Sequence, residues 1–167
     1  FLPQKMSLEE FIDSADFVFL GLHGGIGENG ELQKILEKKG KYFNGSGSKA
    51  AMVCMDKYET AQKIADLEND GIFTAKKVLV DVKSLQELDS KEFKDFWNKL
   101  KKELHTKTVI VKPHSDGCSA GIIRLYNAKD LERYIEILDE KIISIPSNTF
   151  TNQSNIIEMP TEPLDKL

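Results

Sequence analysis

The sequence predicts a two-part α/β and α+β fold. The end of an open parallel α/β unit runs to about residue 46, and from about residue 47 an α+β layer follows, with a partly antiparallel sheet and flanking helices. Three observations carry the prediction. Phe17 to Leu22, FVFLGL, is a continuous apolar run of strand length; HGGIGENG and a helical pattern follow it at once, which is the first half of a βαβ unit. Thr108 to Leu125, TVIVKPHSDGCSAGIIRL, reads as strand, small polar loop and strand. The order helix, strand, helix, strand, strand, helix, strand after residue 47 is that of helices laid on such a sheet.

Each element has a local cause. Ser7-Leu8-Glu9-Glu10 has capping-box spacing, so a short helix is expected to about Ser14. In Glu31 to Lys39, Leu32, Ile35 and Leu36 share one face and Gly40 sits where helices end. Lys41 to Asn44 is read as a short strand, and GSGS (residues 45–48) as a loop whose last serine can cap. Lys49 to Asn69 is helical, with a break near Met55-Asp56-Lys57 and an end at Gly71. Lys77 to Val82 alternates like a strand. Asp89 to Leu104 is the clearest amphipathic helix, its Phe93, Phe96, Trp97, Leu100 and Leu104 read as core. Asn127 caps a helix to about Asp139. Lys141–Ile145 and Ile156–Met159 are expected strands around the polar PSNTFTNQSN.

Composition narrows the class. Hydrophobic residues at 40% and charged ones at 30% are those of a soluble globular protein, long enough to bury a core. A net charge of −4 without a basic stripe gives no footprint for nucleic acid. No apolar run reaches the length of a membrane span. Cys54 and Cys118 lie far apart without CxxC spacing, which fits a reduced compartment. Phe1 is not an initiator methionine, and IIEMPTEPLDKL stops as an element begins, so a fragment of a longer protein is expected.

The candidate chemistry lies in two loops. HGGIGENG follows a strand and precedes a helix, where open α/β sheets place ligands. It can hold a phosphate, hold a carboxylate or simply turn the chain. It is not the dinucleotide fingerprint, because Gly30 falls three positions after Gly27, nor a P-loop, because no Lys-Ser/Thr pair follows. Lys112 closes the strand before Asp116, Gly117, Cys118, Ser119, Ala120 and Gly121. A lysine beside backbone amides freed by small residues suits polyphosphate; a plain hairpin turn reads the same way. His105 and His114 lack partners at zinc-ligand spacing, and no base for Cys118 is readable.

Taken together the pieces resemble the D-alanine–D-alanine ligase family of ATP-grasp enzymes. VFLGLHGGIGENGELQKILE is similar to its strand, HG-x-x-GE-x-G loop and helix, and YFNGSG to its aromatic segment ending in TGSG. MDKYET is similar to its MDK-x-x-[TS] helix start, and VIVKPHSDGCSAGI to its VIVKP-x-x-x-GSS-x-GI hairpin. The four stand in family order across about Phe17 to Leu138. GCSAGIIRL, IPSNTF and IIEMP look most like the branch that includes plant chloroplast ligase-like proteins.

The resemblance implies residues 1–46 as the end of a Rossmann-like pre-ATP-grasp domain and residues 47–167 as the first ATP-grasp subdomain. It implies ATP-dependent synthesis of D-alanyl-D-alanine for peptidoglycan, through an acyl phosphate, in the cytoplasm or, for a plant or alga, the plastid stroma. His23 and Glu28 match the substrate-side catalytic loop. Lys57, Lys112, Gly117, Cys118, Ser119, Ala120 and Gly121 match residues at the ATP phosphates. D-alanine is the implied partner, with no nucleic acid, no membrane and a homodimer left open. Cofactors are ATP and Mg, with no metal ligand expected here because the chain stops before the family's Asp/Glu/Asn set; the fragment alone is expected to be inactive. Two departures stand out: Cys118 replaces the first serine of GSS, and Asn29 replaces the aspartate after Glu28. They keep open a family-derived, non-catalytic nucleotide-binding protein, as the missing acceptor region keeps open D-lactate or D-serine.

Overall fold

In the computed structural model, which describes residues 5–115, 119–160 and 164–167, the chain enters its first helix at the predicted capping box. The Glu10 N–H donates to Ser7 Oγ at 3.1 Å, and the Ser7 N–H to Glu10 Oε2 at 2.8 Å, at the start of α1 (Leu8–Ser14). Strand β1 (Phe17–Val18) then pairs in parallel with β2 (Tyr42–Phe43), with α2 (Glu31–Lys38) as the crossover. This is the predicted βαβ unit. Ile12, Val18, Leu32 and Leu36 form its core.

The strand is shorter than the FVFLGL run suggests, and it is not buried on both faces. Val18 is buried, whereas Phe17 and Phe19 are exposed. Alternation explains this: successive residues point to opposite faces, and only one face meets the helices of this unit. Asn44 prolongs the pairing by using both ends of its amide on the backbone of Leu20.

Gly30 joins the glycine loop to α2 at φ 90°, and a Cβ there would lie 2.6 Å from the Ser48 carbonyl oxygen. Backbone cannot yield as a side chain can, so Gly30→Ala is expected to cost well above the ~1–2 kcal/mol of the left-handed conformation alone. A drop in urea midpoint at unchanged m checks this. Where α2 meets α3 (Ser48–Met55), the Ser48 N–H and hydroxyl both donate to the Glu37 carboxylate. These bonds, the hydroxyl's first, hold the Glu37 pKa below its ordinary value. A lowered folded pKa gives stability above the ordinary carboxylate value that is lost as pH falls through the folded one. Unfolding measured across that acid window should show the loss in the natural chain and a flatter dependence in Ser48→Ala; equal slopes would contradict it. The effect is small because Glu37 is solvated.

The helical stretch breaks where predicted. Asp56 ends α3, and its carboxylate accepts the N–H groups of Tyr58 and Glu59, each at 2.8 Å, to begin α4 (Lys57–Ala65). By packing, the chain divides into Phe1–Thr60 and Ala61–Leu167. The division at residues 46/47, expected from the order of elements and from the resemblance, stays a proposal.

In the second unit, the predicted strand Lys77–Val82 forms only a short pairing with the chain's last residues. Val80 and Leu167 exchange backbone bonds at 2.8 and 2.9 Å, and the Val82 N–H reaches Asp165 O at 2.9 Å. Val82 already begins α5 (Val82–Gln86), because Asp81 accepts from the Ser84 N–H at 3.0 Å. An aspartate cap overrides the alternation of VDV. Asp89 and Glu92 form a capping box for α6 (Ser90–Leu104). Strands β3 (Val109–Val111) and β4 (Ile123–Leu125) pair antiparallel in the predicted hairpin, with Val109 opposite Leu125 and Val111 opposite Ile123.

Asn127 caps α7 (Ala128–Asp139), and β5 (Ser144–Ile145) pairs antiparallel with β6 (Ile157–Glu158). Alternation turns Val109, Val111, Ile123 and Leu125 onto Phe93, Trp97 and Leu100 of α6 and Leu131, Tyr134 and Ile135 of α7. The buried Asp130 carboxylate accepts from the Tyr126 N–H at 2.9 Å and from the Thr151 N–H and hydroxyl at 3.2 and 2.9 Å, which ties the polar 146–155 segment to α7.

Candidate functional site

In the first unit the glycine loop is closed by its own carboxylate. Residues Gly25–Gly27 make one 3₁₀ turn, and the Gly24 N–H donates to Glu28 Oε2 at 2.9 Å. The other oxygen, Glu28 Oε1, lies 3.4 Å from His23 Nδ1. The structure thus brings the two predicted substrate-side residues together. The imidazole is 78% exposed and the carboxylate 41%. Both stand beyond the carboxyl end of β1, at the N-terminal side of α2.

Two residues that the sequence reading did not assign shape this loop. Gln33 is buried on α2, and its Nε2 donates to the Gly27 carbonyl at 2.8 Å. Its Oε1 has no hydrogen-bond partner among the described residues. Asn44 fixes the chain after β1, as above. The signal for Gln33 was a polar side chain between Leu32 and Leu36 on an otherwise apolar face. Leu20, Leu22, Glu28, Gln33, Asn44 and Cys54 line a cleft of about 480 Å³.

Lys57 opens α4 and is half-buried, directly after the Asp56 cap. Thr60, the last residue of the MDK-x-x-T match, donates its hydroxyl to Val53 O at 2.6 Å and so closes the end of α3. Lys57 belongs to the first unit and Lys112 to the second.

In the second unit, Lys112 is exposed immediately after β3, and Pro113 behind it is fully buried. The loop returns through Ser119 at φ 59° and Gly121 at φ 65°. Gly121 is buried. Its N–H donates to Glu158 O at 2.8 Å, and its carbonyl accepts from the Tyr134 hydroxyl at 2.8 Å. A Cβ at Gly121 would meet Pro160, Tyr134 and Pro113 at 3.1 to 3.2 Å. Gly121 is therefore the anchor of the loop, while Ser119 is exposed and Ala120 half-buried at its open side. Gly117 and Cys118, also named as phosphate-loop residues, lie outside the described residues, as does Asp116.

Among the described residues, no group of three or more His, Cys, Asp or Glu side chains is placed to hold a metal ion. Among them too, no helix is long and apolar enough to cross a membrane.

No family model matches the chain. D-alanine–D-alanine ligase A of Bacillus cereus is 33% identical over 142 residues, which is 83% of this chain and 42% of that protein. The crystal structure of the Bacillus anthracis D-alanine–D-alanine ligase complexed with ATP superposes with a TM-score of 0.59 at 31% identity, covering 83% of this chain and 42% of that one. VanG, a D-Ala:D-Ser ligase of Enterococcus faecalis, gives 0.58 at 25% identity over 87% of this chain and 36% of its own. A βαβ unit with a glycine loop, followed by a lysine-bearing hairpin packed on helices, is therefore part of an ATP-grasp ligase fold. More narrowly, the curated relatives it matches are D-alanine–D-alanine ligases, and the chain spans about two fifths of their length.

Proposed function

We propose that the full-length protein is an ATP-dependent D-alanine–D-alanine ligase acting in peptidoglycan synthesis, in the cytoplasm or, in a plant or alga, the plastid stroma. The observation that carries this is the combination, in one chain, of the His23–Glu28 contact and the Lys112 hairpin, each too common alone to mean much. The reaction transfers the γ-phosphoryl group of ATP to the carboxylate of one D-alanine. The amine of a second D-alanine then forms the amide, and phosphate leaves with one former carboxylate oxygen.

Phosphoryl transfer needs positioning and charge neutralisation more than covalent help from the protein. Lys112 supplies an ammonium group to phosphate oxygens, a role that the motif match also gives to Lys57. Gly121, bonded at both its N–H and its carbonyl, fixes the chain where it enters β4. His23 lies against the first substrate, and Glu28 sets the imidazole's orientation while holding the Gly24 amide. Magnesium would assist the phosphates when bound; the described residues offer it no ligand cluster, so no step is assigned to it. The 167-residue chain by itself is expected to bind without turning over.

Two other readings have particular support. The likeness to the D-Ala:D-Ser ligase supports a different acceptor, and Cys118 with Asn29 supports a non-catalytic nucleotide-binding protein. The full-length protein, given ATP, magnesium and D-alanine, should release phosphate only when D-alanine is present. Release that needs D-serine or D-lactate as acceptor would move the reading to that ligase. No amino-acid-dependent release would leave the binding protein.

A further inference from the structure

Lys77 was not singled out by the sequence, yet the structure puts it on the same outward face as Lys112. Val78 and Val80 pack on the same core as Val109 and Val111. Side chains alternate on extended backbone, so Lys77 and Lys112 both fall on the outward face, with Leu79 and Ile110 also turned away from the core. The segment Asp165–Leu167 joins the two stretches: it exchanges bonds with Val80 and Val82, and its Lys166 carbonyl accepts from the His114 N–H at 3.4 Å.

The Lys77 ammonium is turned back on its own segment, donating to Thr74 Oγ1 at 2.8 Å and Ala75 O at 3.3 Å. That posture holds the cation on its own segment without neutralising it. Partial burial of the ammonium first, and the charge on Lys112 second, lower the Lys77 pKa. Two like charges held together are unfavourable until an anion is placed between them.

We propose that Lys77 is a second phosphate-binding residue, which with Lys112 straddles neighbouring oxygens of one polyphosphate chain. This rests on the ATP reading of the hairpin and adds to it a residue outside the matched motifs. One lysine holds a point charge; two set along an extended face select a chain of linked phosphates over a single one.

The test titrates the 167-residue chain with inorganic tripolyphosphate and with orthophosphate. Lys77→Met is expected to weaken tripolyphosphate about tenfold, the worth of one hydrogen bond to a charged group. It should leave orthophosphate nearly unchanged. Lys77→Arg should keep most of the affinity, and Lys76→Met, its exposed neighbour, should behave as the natural chain. Thermal unfolding of Lys77→Met is expected to match the natural chain, which separates lost contact from lost fold. If Lys112→Ala weakens tripolyphosphate and Lys77→Met does not, the inference is overturned and the ATP reading stands. If neither substitution matters, or the natural chain binds no tripolyphosphate at millimolar concentration, the phosphate reading of the hairpin fails and the inference with it.

Discussion

Lys112→Ala is expected to weaken ATP binding roughly ten- to a hundredfold while leaving the fold intact. Its side chain is exposed at the end of β3, so its removal opens no cavity. A charged hydrogen bond to phosphate is worth about 1.5–3 kcal/mol, and that is what the substitution removes. The backbone of β3 is held by its ladder to β4 and by Pro113 in the core, so the remaining loop keeps its geometry. Titration with ATP and with adenosine separates the parts: ATP should lose affinity and adenosine should not. Equal losses would mean that Lys112 supports the pocket rather than the phosphates. Unchanged ATP affinity would remove Lys112 from the site.

Tyr134→Ala is expected to be the most damaging single change in the second unit, at about 3–5 kcal/mol for the buried ring. Tyr134 is fully buried on α7, and its ring lies 6.4 Å from that of Phe150. Burial holds its phenol protonated, well above the ordinary pKa, so the hydroxyl stays a donor. That donor meets the Gly121 carbonyl. Tyr134→Phe isolates this bond: the ring stays, and a buried carbonyl loses its partner at about 1–3 kcal/mol. If Gly121 anchors the phosphate loop, Tyr134→Phe should also speed hydrogen exchange at Ser119 and Ala120. A Tyr134→Phe chain as stable as the natural one would show that Gly121 finds another donor and that α7 does not secure the loop.

The parts of the fold set by near neighbours could be read from the sequence. The box at Ser7–Glu10, the Asp56 break and the Asn127 cap each depend on residues within a turn, and each stands as predicted. The βαβ unit followed from FVFLGL and the helix behind it. What failed to show were effects set by distant partners. Phe17 and Phe19 look as buried as Val18 in the string, but only the packing of α1 and α2 decides which face is covered. VDV reads as strand, and only the Asp81 cap with the C-terminal pairing makes it a strand edge turning into a helix. At the site, His23 and Glu28 are five residues apart and their contact was accessible to motif reasoning. Lys77 was not, because its relation to Lys112 arises from alternation on two separated stretches and from a tail lying between them.

We propose that the full-length protein joins a carboxylate to an amine by way of phosphate, with this chain holding the phosphates. Transfer of oxygen tests it most directly. The full-length protein is given ATP, magnesium and D-alanine labelled with ¹⁸O in its carboxylate, and the released phosphate is read by phosphorus NMR. Phosphate carrying one ¹⁸O is expected, with a dipeptide formed in equal amount. Phosphate without the label, or no release that depends on D-alanine, would contradict it.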